Sequence, residues 1–177
     1  MRRPLALVLS TLTLSACANA DASPEAGRAD AAPQMVVATA TPVSAASPQE
    51  LPTILVYKTS TCLCCQGWVE HLRAEGFAVD ARDVSPQDLM RVKMDGGIPG
   101  PMSSCHSAIV DGYMVEGHVP ADQIRQLLAE RPEIAGIGVP GMPVGSPGME
   151  GPNAQPYQVL SFTHGGQTAI FADVDPR

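Results

Sequence analysis

Hydrophobic positions change their period along the chain from about residue 52 onward, which predicts strands followed by helices. Residues 54–57 form a short β-rich run, and Trp68, Val69 and Leu72 then recur at helical spacing. Gly76 follows this run where a helix C-terminus favours glycine. The first predicted elements are therefore a strand and an amphipathic helix, with a polar turn between them.

The same alternation continues through the middle of the chain. Residues 77–81 alternate as a second strand, and Ser85 followed by Pro86 is a typical helix start. Gly96 and Gly97 are expected to end this second helix. The order up to this point is strand, helix, strand, helix.

A hairpin and a third helix complete the regular pattern. Two apolar runs, 108–110 and 113–115, flank Asp111-Gly112, a pair favoured in two-residue hairpin turns. Residues 121–131 then carry one apolar helical face before Pro132. The predicted string is βαβαββα, an α/β arrangement that resembles the thioredoxin fold.

The C-terminal part, residues 133–177, is predicted to extend this core with a loop and a hairpin. Residues 133–156 are rich in Gly and Pro and contain two methionines, which predicts an irregular but ordered loop. Residues 157–162 and 168–174 are expected to form the arms of the last hairpin.

The N-terminus has the features of an export signal. Arg2 and Arg3 precede an apolar run, Leu5 to Leu14, that is too short to span a bilayer as a mature helix. Leu14-Ser15-Ala16-Cys17 resembles a bacterial lipobox, so residues 1–16 are interpreted as a lipoprotein signal peptide and Cys17 as the lipidated first residue. The alternative is an ordinary cleaved signal followed by an unmodified cysteine.

Composition separates a tether from a folded domain. Residues 17–51 are dominated by Ala, Pro, Ser and Thr, which predicts a disordered tether, and residues 52–177 form the predicted domain. Cleavage after residue 16 leaves 9 basic residues against 18 acidic ones, a formal charge of −9. This charge argues against nucleic-acid binding and against contact with anionic lipid beyond the Cys17 lipid.

Four further cysteines carry the candidate chemistry. Cys62, Cys64 and Cys65 lie between the first strand and the first helix, where the helix dipole stabilises thiolates. Cys105 precedes the third strand, and by analogy with the thioredoxin fold it is expected to face the other three. Thiolates are soft ligands, and the one-residue spacing suits bridged Cu(I) better than a single tetrahedral zinc.

Two other functions fit the same cysteines. The spacing of Cys62 and Cys65 matches a redox pair, with Cys62 as nucleophile and Cys65 as resolving thiol of a thiol-disulfide oxidoreductase. A pair of structural disulfides in an interaction module is the second alternative, because an oxidising compartment permits them. Cys64 favours the metal, since a redox pair does not need a third sulfur.

Histidines and methionines near these positions are weaker candidates. His106 is expected either to bind the metal or to hydrogen-bond behind it, and His118 either to support the structure or to act as a ligand. Met142 and Met149 lie in the predicted loop, where thioethers suit Cu(I) but also fill gaps. The residues left out of the predicted site are His71 and His164, as lone histidines, and Met90 and Met94, whose spacing suggests core packing.

Several sequence motifs together resemble one family. These motifs are Ser104-Cys105-His106-Ser107-Ala108, Asp111-Gly112-Tyr113, Glu116-Gly117-His118-Val119-Pro120, and the run from Pro140 to Glu150. Their order is similar to that of the CopG family of periplasmic copper-resistance proteins, over about residues 53–172. The resemblance implies a thioredoxin-like fold and a cysteine-bridged, multinuclear copper site with redox activity.

By this resemblance the four domain cysteines match those of the family. One position departs, because Leu63 stands where the family usually has glycine, and leucine restricts the backbone and adds bulk. The sequence therefore predicts a periplasmic lipoprotein, anchored in the outer membrane, that holds more than one Cu(I) for copper resistance. A periplasmic copper carrier or an efflux component is the expected partner.

Overall fold

The computed structural model describes residues 51–176. The predicted signal peptide, Cys17 and nearly all of the predicted tether lie outside the described residues. No helix within residues 51–176 is long and apolar enough to cross a membrane.

Strands and helices follow the predicted order through the third helix. The first seven elements are β1 (Ile54–Lys58), α1 (Leu63–Ala74), β2 (Val79–Asp83), α2 (Pro86–Asp95), a 3-10 helix (Gly100–Met102), β3 (Ser107–Val110) and β4 (Tyr113–Glu116). The remaining four are α3 (Ala121–Glu130), β5 (Gly136–Gly138), β6 (Tyr157–Phe162) and β7 (Thr168–Val174).

Turn and cap residues act where the sequence predicted them. Ser85 accepts a hydrogen bond from the Asp88 amide at the start of α2, as an N-cap does. Between β3 and β4, Asp111 and Gly112 have φ angles of 46° and 87°. These left-handed conformations are those of a two-residue hairpin turn, so the predicted hairpin is confirmed.

The seven strands within residues 51–176 belong to one mixed sheet in the order β2-β1-β3-β4-β5-β6-β7. The pairs β1–β2 and β4–β5 are parallel, and the other four pairs are antiparallel. The predicted C-terminal hairpin is confirmed as β6 and β7, and it continues the sheet rather than lying apart from it.

The prediction of an irregular loop over residues 133–156 was wrong at its start. Residues 136–138 form β5, which pairs with β4 on one side and β6 on the other. Two of its three residues are glycines, which have low strand propensity, so the sequence pattern did not reveal the strand. A side chain at Gly136 would overlap the backbone of Met114, so this close strand approach requires glycine.

Successive strand residues face two cores on opposite sides of the sheet. Trp68 and Leu72 of α1 and Ile124 of α3 pack in the larger core, with alternate residues of β1, β3 and β4. The smaller core includes Met114 of β4 and is lined by Val92 of α2. Helix α1 is therefore fixed against the sheet with its N-terminus beside the segment that leads into β3.

The prediction that Met90 and Met94 belong to the core was wrong. Their side chains are 51% and 66% exposed, and α2 buries Leu89 and Lys93 instead. Lys93 reaches inward to the buried carboxylate of Glu116. A lysine is rarely buried without a partner, so sequence alone did not place it on the inner face.

Candidate metal centre

Three cysteines lie at the start of α1. Cys62 is the N-cap residue, and Cys64 and Cys65 belong to the first helical turn. Cys62 and Cys65 form a disulfide, whereas Cys64 keeps a half-buried free thiol. The Sγ atoms of Cys62 and Cys64 are 3.6 Å apart. The one-residue spacing thus presents a free thiol beside a disulfide.

Cys105 meets this group from the other side. It lies in the irregular segment before β3, and its Sγ is 3.8 Å from the Sγ of Cys64. The four sulfur atoms of Cys62, Cys64, Cys65 and Cys105 all lie within 4.8 Å of one another. The four predicted thiol positions therefore converge, which is a geometry that can hold a metal ion once the sulfurs are free.

Two histidines continue the cluster into the interior. The Sγ of Cys105 lies 3.5 Å from Nδ1 of His106 and 3.3 Å from Nε2 of His118. Cys105, His106 and His118 form a second group whose donor atoms lie within 4.8 Å of one another. Because His106 precedes β3, strand alternation does not direct it away from Cys105.

Burial sets the protonation of these groups. Burial first, and then the nearby His118 and Lys93, lower the pKa of His106 to about 3. Burial also lowers the pKa of His118. Both rings are therefore neutral at pH 7 and can offer a nitrogen lone pair. Among the described residues, Nε2 of His106 is the one buried side-chain nitrogen or oxygen without a hydrogen-bond partner.

The pKa of the Cys105 thiol is raised rather than lowered. Burial, and then the neighbouring Cys64, raise the pKa of Cys105 to about 11. Its metal-free thiol is therefore protonated at neutral pH. A metal ion that binds here must displace the proton, so binding is expected to release protons to solvent.

A buried ion pair between Lys93 and Glu116 supports the segment that contains Cys105. Glu116, at the end of β4, accepts hydrogen bonds from the Ser104 amide and the Ser107 hydroxyl, each at 2.5 Å. Lys93 pairs with the same carboxylate and donates to the Ser107 hydroxyl at 2.9 Å. Cys105 is therefore held between two residues that share one buried carboxylate.

The loop after β5 covers the site at three points. Met142 Sδ lies 4.0 Å from Cys64 Sγ, and the Gly141 carbonyl accepts a hydrogen bond from the Ser104 hydroxyl. The Pro147 carbonyl lies 2.8 Å from Nδ1 of His118, so the ring donates there and turns Nε2 toward Cys105. In the described chain, Met149 makes no comparable sulfur contact with the cysteines.

Gly148 brings this loop against α1. Its φ is 80°, and a Cβ there would lie 2.5 Å from the Cys64 carbonyl oxygen and 2.6 Å from the Trp68 nitrogen. Gly166 has a similar φ of 76° but nothing near its Cβ position. Alanine substitutions at these two glycines therefore distinguish the cost of backbone strain from the cost of close packing.

We expect Gly148→Ala to destabilise the fold more than Gly166→Ala. Both variants strain a left-handed backbone by about 1–2 kcal/mol, and only Gly148→Ala adds overpacking, worth about 1–3 kcal/mol more. Urea unfolding of both variants measures the difference. Equal losses of free energy of unfolding would contradict close packing between the loop and α1.

Several contacts of the site were missed by sequence reasoning. Trp68 was predicted on the apolar face of the first helix, but its ring also packs on His106 at a centroid distance of 4.4 Å. Ser104 and Pro147 lie in motifs that the sequence analysis singled out, but their contacts with the site were not predicted, since a backbone carbonyl or a serine hydroxyl gives no pattern of its own. His71, left out as a lone histidine, accepts a hydrogen bond from the Ala121 amide at the start of α3.

Leu63 does not crowd the thiols. Its side chain is 86% exposed, although it lies between Cys62 and Cys64 in sequence. The leucine therefore adds an apolar group at the mouth of the site rather than bulk inside it.

Comparisons with known proteins agree on the family. A family described as "Protein of unknown function, DUF411" matches residues 102–149. No curated protein sequence matches the chain. Two solved structures, "Copper resistance protein copG- Form 1" and "Form 2", are each 44% identical, with a TM-score of 0.65. They cover 71% of this chain, and the match covers 98% and 100% of theirs. The chain therefore belongs to the CopG family of copper resistance proteins.

Proposed function

We propose that this protein binds copper in copper resistance, and that Cys62, Cys64, Cys65 and Cys105 hold the ions as Cu(I). The observation that carries the proposal is the convergence of four cysteine sulfurs within 4.8 Å. Thiolates are soft ligands and favour Cu(I), which agrees with the copper-resistance relatives. The proposed core is thioredoxin-like, with the thiols at the start of its first helix.

The proposed site holds more than one ion. Cys105 belongs to both donor groups, the four thiols on one side and His106 with His118 on the other. A thiolate shared in this way can bridge two ions. His118 supports the proposal as a ligand because its Nδ1 is engaged by a backbone carbonyl, which leaves Nε2 free for a metal. Met149 stays a sequence prediction without a contact in its support.

The site is also proposed to be redox-active. The disulfide between Cys62 and Cys65 withdraws two of the four thiols from metal binding. Reduction by two electrons and two protons returns both. Copper capacity would therefore depend on the redox state of this pair.

The same disulfide favours a second candidate function, a thiol-disulfide oxidoreductase. Cys62 is the attacking and Cys65 the resolving thiol in this alternative. Cys64 contributes nothing essential to such exchange, although its Sγ is 3.6 Å from Cys62. The two functions therefore differ in whether the Cys64 thiol is required.

Paired variants separate the two functions. We expect Cys64→Ser and Cys65→Ser to lower the copper tolerance of cells to a similar degree, because each removes a ligand. An oxidoreductase would instead lose insulin-reduction activity in Cys65→Ser, with a mixed disulfide trapped at Cys62, and keep it in Cys64→Ser. Full copper tolerance in Cys64→Ser cells, with reductase activity lost in Cys65→Ser alone, would overturn the copper function.

The proposed location is the periplasm, with the protein held at the outer membrane by lipid on Cys17. A copper carrier or efflux component of that compartment is the proposed partner. We expect Cys17→Ala to block lipid attachment and leave the precursor unprocessed, because the acyl group is placed on that sulfur. Labelling cells with a fatty-acid analogue measures this. Equal labelling of variant and parent would rule out the anchor.

A further inference from the structure

Two of the four domain cysteines keep their thiols while the other two are bonded to each other. Cys64 and Cys105 are free when Cys62 and Cys65 form the disulfide. We propose that this disulfide form binds one Cu(I) between Cys64 and Cys105, with Met142 as the ligand on the solvent side. The inference rests on the proposed copper function and deepens it.

The sulfur–sulfur distances from Cys64 to its two neighbours fit a single shared ion. Metal–sulfur bonds to thiolate are about 2.3 Å long, so one ion can join sulfurs up to about 4.6 Å apart. Cys64 Sγ lies 3.8 Å from Cys105 Sγ and 4.0 Å from Met142 Sδ. Three sulfur donors of this kind suit Cu(I), for which thiolate and thioether are preferred ligands.

Exposure decreases along this row of donors. The side chain of Met142 is 50% exposed, Cys64 and Cys105 are half-buried, and His118 is buried. His118 Nε2 lies 3.3 Å from Cys105 Sγ at the inner end. An incoming ion can therefore meet the Met142 thioether first and pass to the two thiols. Met142 therefore helps to capture the ion, whereas the complete site requires that Cys62 and Cys65 be reduced.

A full-length chain carrying Cys17→Ser provides the test, because only the four domain cysteines then remain. The disulfide form is titrated anaerobically with Cu(I) against a chromophoric chelator, and thiols are counted before and after. We expect one Cu(I) per chain, and two thiols both before the titration and after the bound copper has been removed, which shows that the disulfide stayed intact. The double variant Cys62→Ser/Cys65→Ser is expected to bind one Cu(I) as well, with no disulfide that copper could reduce.

Met142 is tested by its affinity contribution. We expect Met142→Leu to weaken Cu(I) binding to the disulfide form by about 10-fold or more, because loss of a group that only supports a metal ligand already costs about 10–100-fold. Met94→Leu is the matched control, since Met94 is a similarly exposed methionine on α2. Its affinity is expected to equal that of the parent. Equal affinity for Met142→Leu and Met94→Leu would overturn the role of Met142.

Failure of this inference is distinguishable from failure of the proposed function. If the disulfide form and the double variant bind no Cu(I) while the reduced chain binds several ions, the one-ion site is wrong and the copper function stands. If the reduced chain also binds none, both are wrong. Retention of one Cu(I) after Cys64→Ser or Cys105→Ser in the disulfide form would place the ion elsewhere and contradict the inference.

Discussion

Replacing Cys105 with serine is expected to cause the largest loss of copper of any single cysteine substitution. Cys105 is the one residue shared by the two donor groups, and its Sγ lies 3.8 Å from Cys64 and 3.3 Å from His118. A bridging thiolate contacts two ions, so its removal breaks more than one copper–sulfur bond. Serine keeps the shape of the side chain but offers a hard oxygen in place of a soft sulfur.

The measurement is the number of Cu(I) ions per reduced chain, by titration against a competing chelator. Cys62→Ser is the matched comparison, because Cys62 belongs to the thiol group alone and should lose fewer ions. Circular dichroism of both metal-free variants controls for folding. A Cys105→Ser variant that binds as many ions as the parent would contradict a site shared through this sulfur.

The second large effect is expected at the buried ion pair beneath the site. Glu116 is fully buried and Lys93 nearly so, and the carboxylate also holds the Ser104 amide and the Ser107 hydroxyl. Glu116→Gln leaves the ammonium of Lys93 buried without its counter-charge. Breaking a buried pair in this way costs about 3–5 kcal/mol of unfolding free energy.

A double variant distinguishes an unpaired charge from a loss of packing. We expect Lys93→Met/Glu116→Leu to be more stable than Glu116→Gln, because no charge is then buried. Asp80→Asn is the surface control, since Asp80 and Arg82 form an exposed pair and little change is expected. Urea unfolding measures all three variants. A Glu116→Gln variant as stable as Asp80→Asn would contradict the supporting role of the pair.

Local sequence signals were sufficient for most of the fold. Ser85 with Pro86 and Asp111 with Gly112 specify a helix start and a tight turn through their own backbone preferences, and both features are present. Strand β5 was not predictable in the same way. Gly136 is required by the close approach to β4, which is a tertiary constraint that a single sequence does not display.

The candidate site was also only partly predictable, because its cysteine spacing is a local signal and its remaining contacts are tertiary. Cysteines are few and reactive, so the spacing at 62, 64 and 65 and the single Cys105 pointed to one cluster. The contacts that orient the cluster involve backbone groups, such as the Pro147 carbonyl on His118, and these leave no trace in side-chain pattern. Burial of Lys93 also depends on a partner distant in sequence.

X-ray absorption at the copper edge of the reduced, Cu(I)-loaded protein tests the central claim most directly. The sulfurs of four cysteines within 4.8 Å should give a first shell dominated by sulfur and a short copper–copper distance from bridged ions. This account predicts both features, with the copper–copper signal lost in Cys105→Ser. A first shell of nitrogen and oxygen, without copper–copper scattering, would contradict it.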